Sequence, residues 1–267
     1  MAELLDLDAE VLHSYLSEVT AWIQDLTSAE SPRRILDLGS GTGTGTFALL
    51  QRFPGAEAVA LDLSAPLLHH LRDKARVLGV ADRIRTMQVD LDAAWPAIDP
   101  VDLIWAASSL HHLTDPDRVL SDVFAALRPG GLLVVAEMDS FPRFLPDDLQ
   151  LGRAGLETRI HAVLAEAHAR ELPNLGCDWG SRLSRAGFTV QAERSFPIVL
   201  TAPLPAAAGR YARASLQRIR SHLDTRISAD DLATLDTLLD DGGPDGVLHR
   251  DDLSVRTTRT VWAARRR

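Results

Sequence analysis

The chain has 267 residues, 46% of them hydrophobic and 24% charged, which is typical of a globular protein and excludes a chain that is disordered throughout. Its formal net charge is -9, so the average surface repels nucleic-acid phosphates and anionic lipids. We therefore expect neither nucleic acid nor a membrane as a partner.

The N-terminal segment, residues 1–30, predicts an amphipathic cap helix. Apolar residues recur at spacings of three and four between residues 8 and 29, and Ser31-Pro32 interrupts the pattern. Carboxylates stand where a secretion signal would carry cations, and no apolar run approaches the roughly 18 residues of a membrane span. Since the single cysteine, Cys177, cannot form an intrachain disulfide, we expect a cytoplasmic protein.

Short apolar runs alternate with helical patterns from residue 34 onward. Such alternation predicts parallel strands joined by right-handed crossovers. The fold class is therefore α/β, with a Rossmann-like doubly wound sheet of about seven strands. The predicted strands cover residues 35–38, 58–61, 84–89, 103–107, 132–137, 188–200 and 257–264.

Two segments of the second half, residues 149–172 and 205–239, have mainly helical patterns and no strand of their own. We interpret residues 141–180 and 203–250 as helical cap insertions on a core of residues 31–140. No linker or repeat divides the chain, so residues 1–267 are expected to form a single domain. The sequence also permits a homodimer.

A glycine-rich turn follows the first predicted strand and opens a helix. Residues 35–45 read Ile-Leu-Asp-Leu-Gly-Ser-Gly-Thr-Gly-Thr-Gly. Glycine permits a tight turn and lets a ligand approach the backbone closely. A dinucleotide site requires Gly-x-Gly-x-x-Gly, but the sixth position counted from Gly39 is Thr44 and that from Gly41 is Thr46. The spacing therefore favours a nucleotide-like cofactor other than a dinucleotide.

Acidic residues end three successive predicted strands, at Asp37, Asp62 and Asp90. A carboxylate at Asp62 can accept hydrogen bonds from both hydroxyls of a ribose. The alternative is that Asp62 caps the helix that begins after Ser64. A helix-capping role is a weaker alternative for Asp90, because Trp95-Pro96 follows it within about one helical turn.

These motifs resemble those of the class I S-adenosylmethionine-dependent methyltransferases, small-molecule type. The resemblance covers residues 33–138, where residues 102–115 resemble motif IV and Pro129-Gly130 the turn before the fifth strand. It implies S-adenosylmethionine as cofactor, with Asp37 beside its amino group, Asp62 on the ribose and Asp90 on the adenine. The implied cofactor-binding residues are Asp37, Gly39, Ser40, Gly41, Gly43, Asp62, Leu63, Asp90, Leu91 and Ala107, with the two leucines flanking the adenine ring.

Two histidines follow the fourth predicted strand and are the catalytic candidates. His111 is the first choice for a base that deprotonates the acceptor, because the resemblance places it at the acceptor pocket. The alternative for His111 is that it hydrogen-bonds the loop that carries it, and His112 is expected to pack or cap. No cluster has the spacing of metal ligands, so no metal is expected.

The predicted function is transfer of a methyl group to oxygen, nitrogen or carbon of a small apolar or aromatic metabolite. Carbon methylation of a quinone-type precursor is the alternative within this family. A nicotinamide-dependent oxidoreductase would share the fold and Asp62, but the glycine spacing and Asp37 argue against it. A protein that binds the cofactor without turnover also stays open. The motif residues do not identify the acceptor.

Overall fold

A seven-stranded sheet organises the chain. The computed structural model describes residues 1–223 and 226–267. The strand order is β3-β2-β1-β4-β5-β7-β6; the first five strands of the chain are parallel, and β7 runs antiparallel to both of its neighbours. The strands are β1 (Arg34–Leu38), β2 (Glu57–Asp62), β3 (Ile84–Gln88), β4 (Val101–Ala107), β5 (Leu127–Met138), β6 (Thr189–Leu200) and β7 (Val255–Arg265). The predicted fold class is confirmed.

Helices pack on both faces of the sheet. Several of them begin where a serine or aspartate side chain accepts a hydrogen bond from a backbone N–H of the first turn, as at Ser64, Asp115, Asp178 and Ser228. The helices are α1 (Ala2–Val11), α2 (His13–Leu26), α3 (Thr44–Arg52), α4 (Ala65–Val77), α5 (Pro116–Ala126), α6 (Leu156–Glu171), α7 (Trp179–Arg185), α8 (Ala208–Leu223) and α9 (Ala229–Leu238).

The N-terminal cap is two helices, so the prediction of one helix in residues 1–30 was wrong. Leu12 leaves the helical conformation, with φ -98° and ψ 21°. The break has a packing reason, because the two helices serve different cores. Leu7 and Val11 of α1 pack in one cluster with α6, α8 and α9, whereas Val19 and Ile23 of α2 pack against the sheet.

Both segments with a predicted helical pattern contain helices, with one boundary corrected. The first insertion becomes helical only at Leu156, and not at residue 149. Gly152 and Gly155 adopt positive φ angles of 63° and 77°, a conformation that interrupts a right-handed helix. The second insertion contains α8 and α9; its residues 224 and 225 lie outside the described residues.

Hydrophobic residues buried in the described parts of the chain form three clusters. One cluster lies on the sheet face that packs against α2 and α3, and another lies on the face that packs against α5 and α7. Ile35 and Leu36 belong to different clusters because successive strand residues point to opposite faces. The third cluster joins α1, α6, α8 and α9, which we call the cap.

A buried cation ties the cap to the sheet. Arg259 of β7 is only 7% exposed. One of its terminal nitrogens donates to Asp8 of α1 at 2.7 Å, and the other donates to the hydroxyl of Ser108 after β4 at 2.9 Å. The hydroxyl of Tyr211 in α8 donates to the same Asp8 oxygen at 2.6 Å. Asp8 therefore joins α1 and α8 to each other and, through Arg259, to the loop that follows β4.

Close packing of α3 on the sheet depends on Gly45. A Cβ atom added to this residue would lie 2.8 Å from Cδ1 of buried Trp105. Gly45→Ala should therefore lower the free energy of unfolding by about 1 kcal/mol or more, because overpacking costs roughly 1–3 kcal/mol and exceeds the helix propensity gained by alanine. Urea denaturation measures the change. Gly55→Ala is the control, since no atom lies within 4 Å of its added Cβ, and an equal loss in both variants would contradict the packing argument.

Candidate functional site

The glycine-rich loop lies at the carboxyl edge of the parallel strands. Gly39, Gly41 and Gly43 have φ angles of 68°, 54° and 85°, a left-handed region that side chains disfavour. The backbone N–H of Ser40 donates to the Leu61 carbonyl at 2.8 Å, which fixes the loop against the end of β2. These glycines are therefore required by the turn itself.

Asp37 lies beneath the glycine loop and not on its open side. It is 2% exposed, and its Oδ2 accepts a hydrogen bond from the Thr46 hydroxyl at 2.5 Å. Burial raises its pKa to about 7; the charge of Asp62 also raises it, and the Thr46 hydrogen bond opposes the shift. Asp37 thus joins the end of β1 to the first turn of α3.

Asp62 connects the loop to the end of β2. Its Oδ2 accepts from the backbone N–H of Gly41 at 2.8 Å, and its Oδ1 accepts from Ser64 at 2.8 Å. The cap of α4 is the Ser64 hydroxyl, so capping is not the task of Asp62. Each carboxylate oxygen can accept a further hydrogen bond, because a carboxylate offers about four acceptor positions.

The third predicted carboxylate is a neighbour of the second. The backbone N–H of Val89 donates to the Asp62 carbonyl at 3.0 Å, and Asp90 follows directly. Asp90 is exposed, with one oxygen accepting from the Asp92 N–H at 3.0 Å. Leu63 is 65% exposed and Leu91 is half-buried, so an apolar side chain with open surface stands beside these carboxylates.

The loop carries unsatisfied polar groups of the kind that a ligand would satisfy. The hydroxyls of Ser40 and Ser109 are buried and have no hydrogen-bond partner among the described residues. A Cβ added at Gly39 would lie 2.5 Å from Cβ of Ser109, so the two loops approach closely there. Buried donors without partners are costly, and a ligand with polar groups at this edge would pair them. The residues present therefore fit a polar nucleoside-type cofactor.

The loop after β4 holds a buried histidine and carboxylate pair. Nδ1 of His111 lies 2.6 Å from Oε2 of Glu137, and the other Glu137 oxygen accepts from the backbone N–H groups of Ser109 and Leu110 at 3.1 and 2.9 Å. Both side chains are at most 3% exposed. Nδ1 therefore carries the proton that it donates to Glu137, and in the neutral ring Nε2 is the free acceptor.

Ala107 and His112 complete the predicted set. Ala107 ends β4 and is half-buried beside Ala136. His112 is exposed, and its ring centroid lies 4.1 Å from that of His111. Glu137 was not predicted, although a carboxylate within the apolar run of residues 132–138 was a visible signal. The structure thus brings together the glycine loop, Asp62, Asp90 and both histidines.

Other features of the described residues lie apart from this edge. A groove of about 520 Å³ between the α1–α2 junction and β6 is lined partly by Tyr15 and Phe196 and by no residue of the glycine loop. No group of three or more His, Cys, Asp or Glu side chains in the described ranges could hold a metal ion. Within the same ranges, every helix is too short or too polar to cross a membrane.

Comparison with known proteins finds a family model and relatives that match part of the chain. Residues 36–133 match a family model described as a methyltransferase domain. The chain is 31% identical over 152 residues to a demethylmenaquinone methyltransferase of Thermus thermophilus, a match that covers 57% of this chain and 62% of that one. The chain spans less than two thirds of the length of the curated relatives that it matches first.

Two solved structures share the fold over most of its length. A geranyl diphosphate methyltransferase in complex with S-adenosylmethionine has a TM-score of 0.53 at 17% identity and covers 99% of this chain and 90% of its own. The cyclase SpnF has a TM-score of 0.52 at 19% identity, with coverage of 93% and 80%. At these identities the likeness shows the fold alone.

The strand order and the glycine loop define a Rossmann-like domain built for a nucleotide-like cofactor. Residues 36–133 match a methyltransferase-domain family model, and the motifs of this part of the chain resemble those of the class I S-adenosylmethionine-dependent methyltransferases.

Asp37→Asn tests the buried carboxyl beneath the loop. The pKa of Asp37 rises from its ordinary 3.8 to about 7 in the folded protein, so its contribution to stability is largest at low pH and is lost as the pH rises from about 4 to 7. Between about pH 5 and pH 8 the wild type should lose roughly 2 kcal/mol more unfolding free energy than Asp37→Asn. Urea denaturation at several pH values measures this. Exposed Asp99→Asn should follow the wild type; parallel profiles for all three proteins would contradict the assignment.

Proposed function

We propose that the protein is a methyltransferase that transfers the methyl group of S-adenosylmethionine to a small molecule. One observation supports this most: the glycine loop, Asp62 and Asp90 meet at a single sheet edge, next to the buried His111–Glu137 pair. Cofactor and acceptor groups would thus lie side by side. The match to a methyltransferase family model supports the same reaction.

The cofactor would lie across the loop. We assign the ribose hydroxyls to Asp62, whose oxygens keep acceptor positions open, and the adenine to Asp90 with Leu63 and Leu91 on either side of the ring. The amino acid part would lie beside Gly39, Ser40, Gly41, Gly43 and Ala107. Asp37 acts from below, by holding the loop through Thr46.

His111, in the loop after β4, would deprotonate the acceptor. S-adenosylmethionine, when bound, supplies an electrophilic methyl group. Glu137 fixes the ring of His111 and its tautomer through Nδ1, which leaves Nε2 to take the proton from an acceptor hydroxyl or ammonium. The backbone N–H groups of Ser109 and Leu110 keep the Glu137 carboxylate in place. His112 is exposed at the same opening and would border the acceptor.

The domain organisation and the cellular location of the protein are also proposed. All of residues 1–267 would act as one domain, because α1 contributes to the same buried cluster as α6 and α8. We place the protein in the cytoplasm, since its one cysteine, Cys177, is free.

Carbon methylation of a quinone-type precursor is the second candidate. The Thermus thermophilus relative is named as a demethylmenaquinone methyltransferase, which favours this acceptor class. Incubation with labelled S-adenosylmethionine and either a prenylated quinol or a panel of hydroxy and amino compounds would separate the candidates. Label found only in the quinol would establish the second one.

Asp62→Ala should weaken binding of S-adenosylhomocysteine by about 1–3 kcal/mol, because the ribose hydroxyls lose a buried hydrogen-bond partner. Isothermal titration calorimetry measures this, and thermal unfolding checks that the variant is folded. Asp82→Ala is the control, since this exposed residue precedes β3 at the opposite edge of the sheet. Unchanged affinity would remove Asp62 from the site, and a wild type that binds neither this product nor S-adenosylmethionine would refute the proposed function.

His111→Gln should slow methyl transfer by roughly 100-fold while the affinity for S-adenosylhomocysteine stays within about twofold, because a lost general base affects the chemical step. The assay follows labelled methyl groups from S-adenosylmethionine into a panel of phenols, amines and organic acids. His13→Gln, at an exposed site at the start of α2, is the matched control. Full activity of His111→Gln would leave the histidine with a structural role only.

A further inference from the structure

The glycine loop is closed off from solvent, although it lies at an edge of the sheet. Ser40 is 8% exposed and Thr42 is 1% exposed. The Ser40 hydroxyl has no hydrogen-bond partner among the described residues, so a ligand that pairs with it must reach a buried group. Such a ligand can enter and leave only if part of the cover over the loop moves.

The first turns of α1 form part of this cover. Cδ1 of Leu5 would lie 3.1 Å from a Cβ atom added to Gly41, so its side chain lies against the loop backbone. The N–H of Gly41 donates to Asp62 at 2.8 Å. Leu5 is half-buried but belongs to none of the three hydrophobic clusters that the described residues form. Its side chain therefore covers the loop beside the carboxylate that we assign to the ribose.

An ion pair fastens these turns to α4. One oxygen of Asp6 lies 2.8 Å from Nζ of Lys74, and the other lies 2.7 Å from Nε2 of His70. The three side chains are 32–39% exposed. Nζ of Lys74 also lies 5.6 Å from the centroid of the Phe47 ring in α3. A Cβ added to Gly43 would lie 2.8 Å from Cε2 of Phe47, so the ion pair is beside the glycine loop.

The two halves of α1 are held with different strength. Leu7 is 3% exposed and Asp8 binds the buried Arg259, so the C-terminal half is fixed to the cap and the sheet. Leu5 and Asp6 are half-buried and rely on the loop contact and on a partly exposed ion pair, which contributes little to stability. Local opening is easiest where few buried contacts are lost. Opening of α1 should therefore begin in its first turns.

We propose that the first turns of α1 are a gate over the cofactor site, which Asp6 holds closed by pairing with Lys74 and His70. Opening breaks this pair and lifts Leu5 from the glycine loop, and S-adenosylhomocysteine leaves through the space that opens. The closed gate keeps water from the methyl group during transfer. This inference rests on the proposed methyltransferase function and adds a residue that controls exchange of cofactor and product.

Surface plasmon resonance with S-adenosylhomocysteine tests the gate, because it measures association and dissociation separately. Asp6→Asn should raise both rate constants by about fivefold, since loss of a partly exposed ion pair makes opening about that much more frequent. The same opening admits and releases the ligand, so the equilibrium dissociation constant should change by less than about twofold. Thermal unfolding checks that the variant is folded.

Asp73→Asn is the matched control. Asp73 also pairs with a histidine and a cation, but its partners His69 and Arg76 lie in its own helix, α4. Its rate constants should stay within about twofold of the wild type, because this pair does not hold α1.

Lys74→Gln removes the ion pair from the α4 side and leaves α1 unchanged. It should raise both rate constants as well. Adding it to Asp6→Asn should give no further increase, because the two substitutions break the same contact.

The outcomes separate the gate from the proposed function. Rate constants of folded Asp6→Asn within about twofold of the wild type would refute the gate. Faster dissociation with unchanged association would also refute it, because Asp6 would then contribute affinity alone. An equal increase in Asp73→Asn would trace the effect to lost charge in general and refute the gate too. A wild type that does not bind S-adenosylhomocysteine would instead reject the methyltransferase proposal itself.

Discussion

The arrangement of the cap on the sheet depends on one buried cation. A guanidinium removed from water needs partners, and loss of one partner of a buried ion pair costs about 3–5 kcal/mol. Arg259 takes its partners from three separate elements, namely α1, the loop after β4 and, through Asp8, α8. The same interaction therefore positions the cap and the loop that carries His111. The position of the cap and the position of His111 therefore depend on the same buried ion pair.

Three acidic residues at the carboxyl edge of the sheet have different surroundings. Asp37 is buried, has a raised pKa and braces the loop from below, whereas Asp62 accepts backbone hydrogen bonds at the level of the loop and Asp90 faces solvent. Residues that look equivalent as strand ends thus differ in burial and in the groups that they contact. A cofactor with a ribose and an adenine would meet the second and third, because only these lie open to it.

The sheet of this chain is shared with proteins that differ in what they catalyse. A methyltransferase and a cyclase share the architecture, so the sheet alone does not specify a reaction. In this chain the loop after β4 adds the buried His111–Glu137 pair beside the glycine loop. The candidate chemistry therefore lies in the loops and not in the sheet.

Local patterns in the sequence determined the strands, most helices and the glycine loop, because strand alternation, helical spacing and left-handed glycines depend on near neighbours. They also identified Asp62, Asp90 and His111 as one group, since the carboxyl ends of parallel strands meet at one edge. The break at Leu12, the late start of α6 and the burial of Asp37 depended on packing between distant segments. Only tertiary structure could pair Asp8 with Arg259, 251 residues away, or His111 with Glu137, because a hydrogen bond between remote residues leaves no periodic signal in either segment.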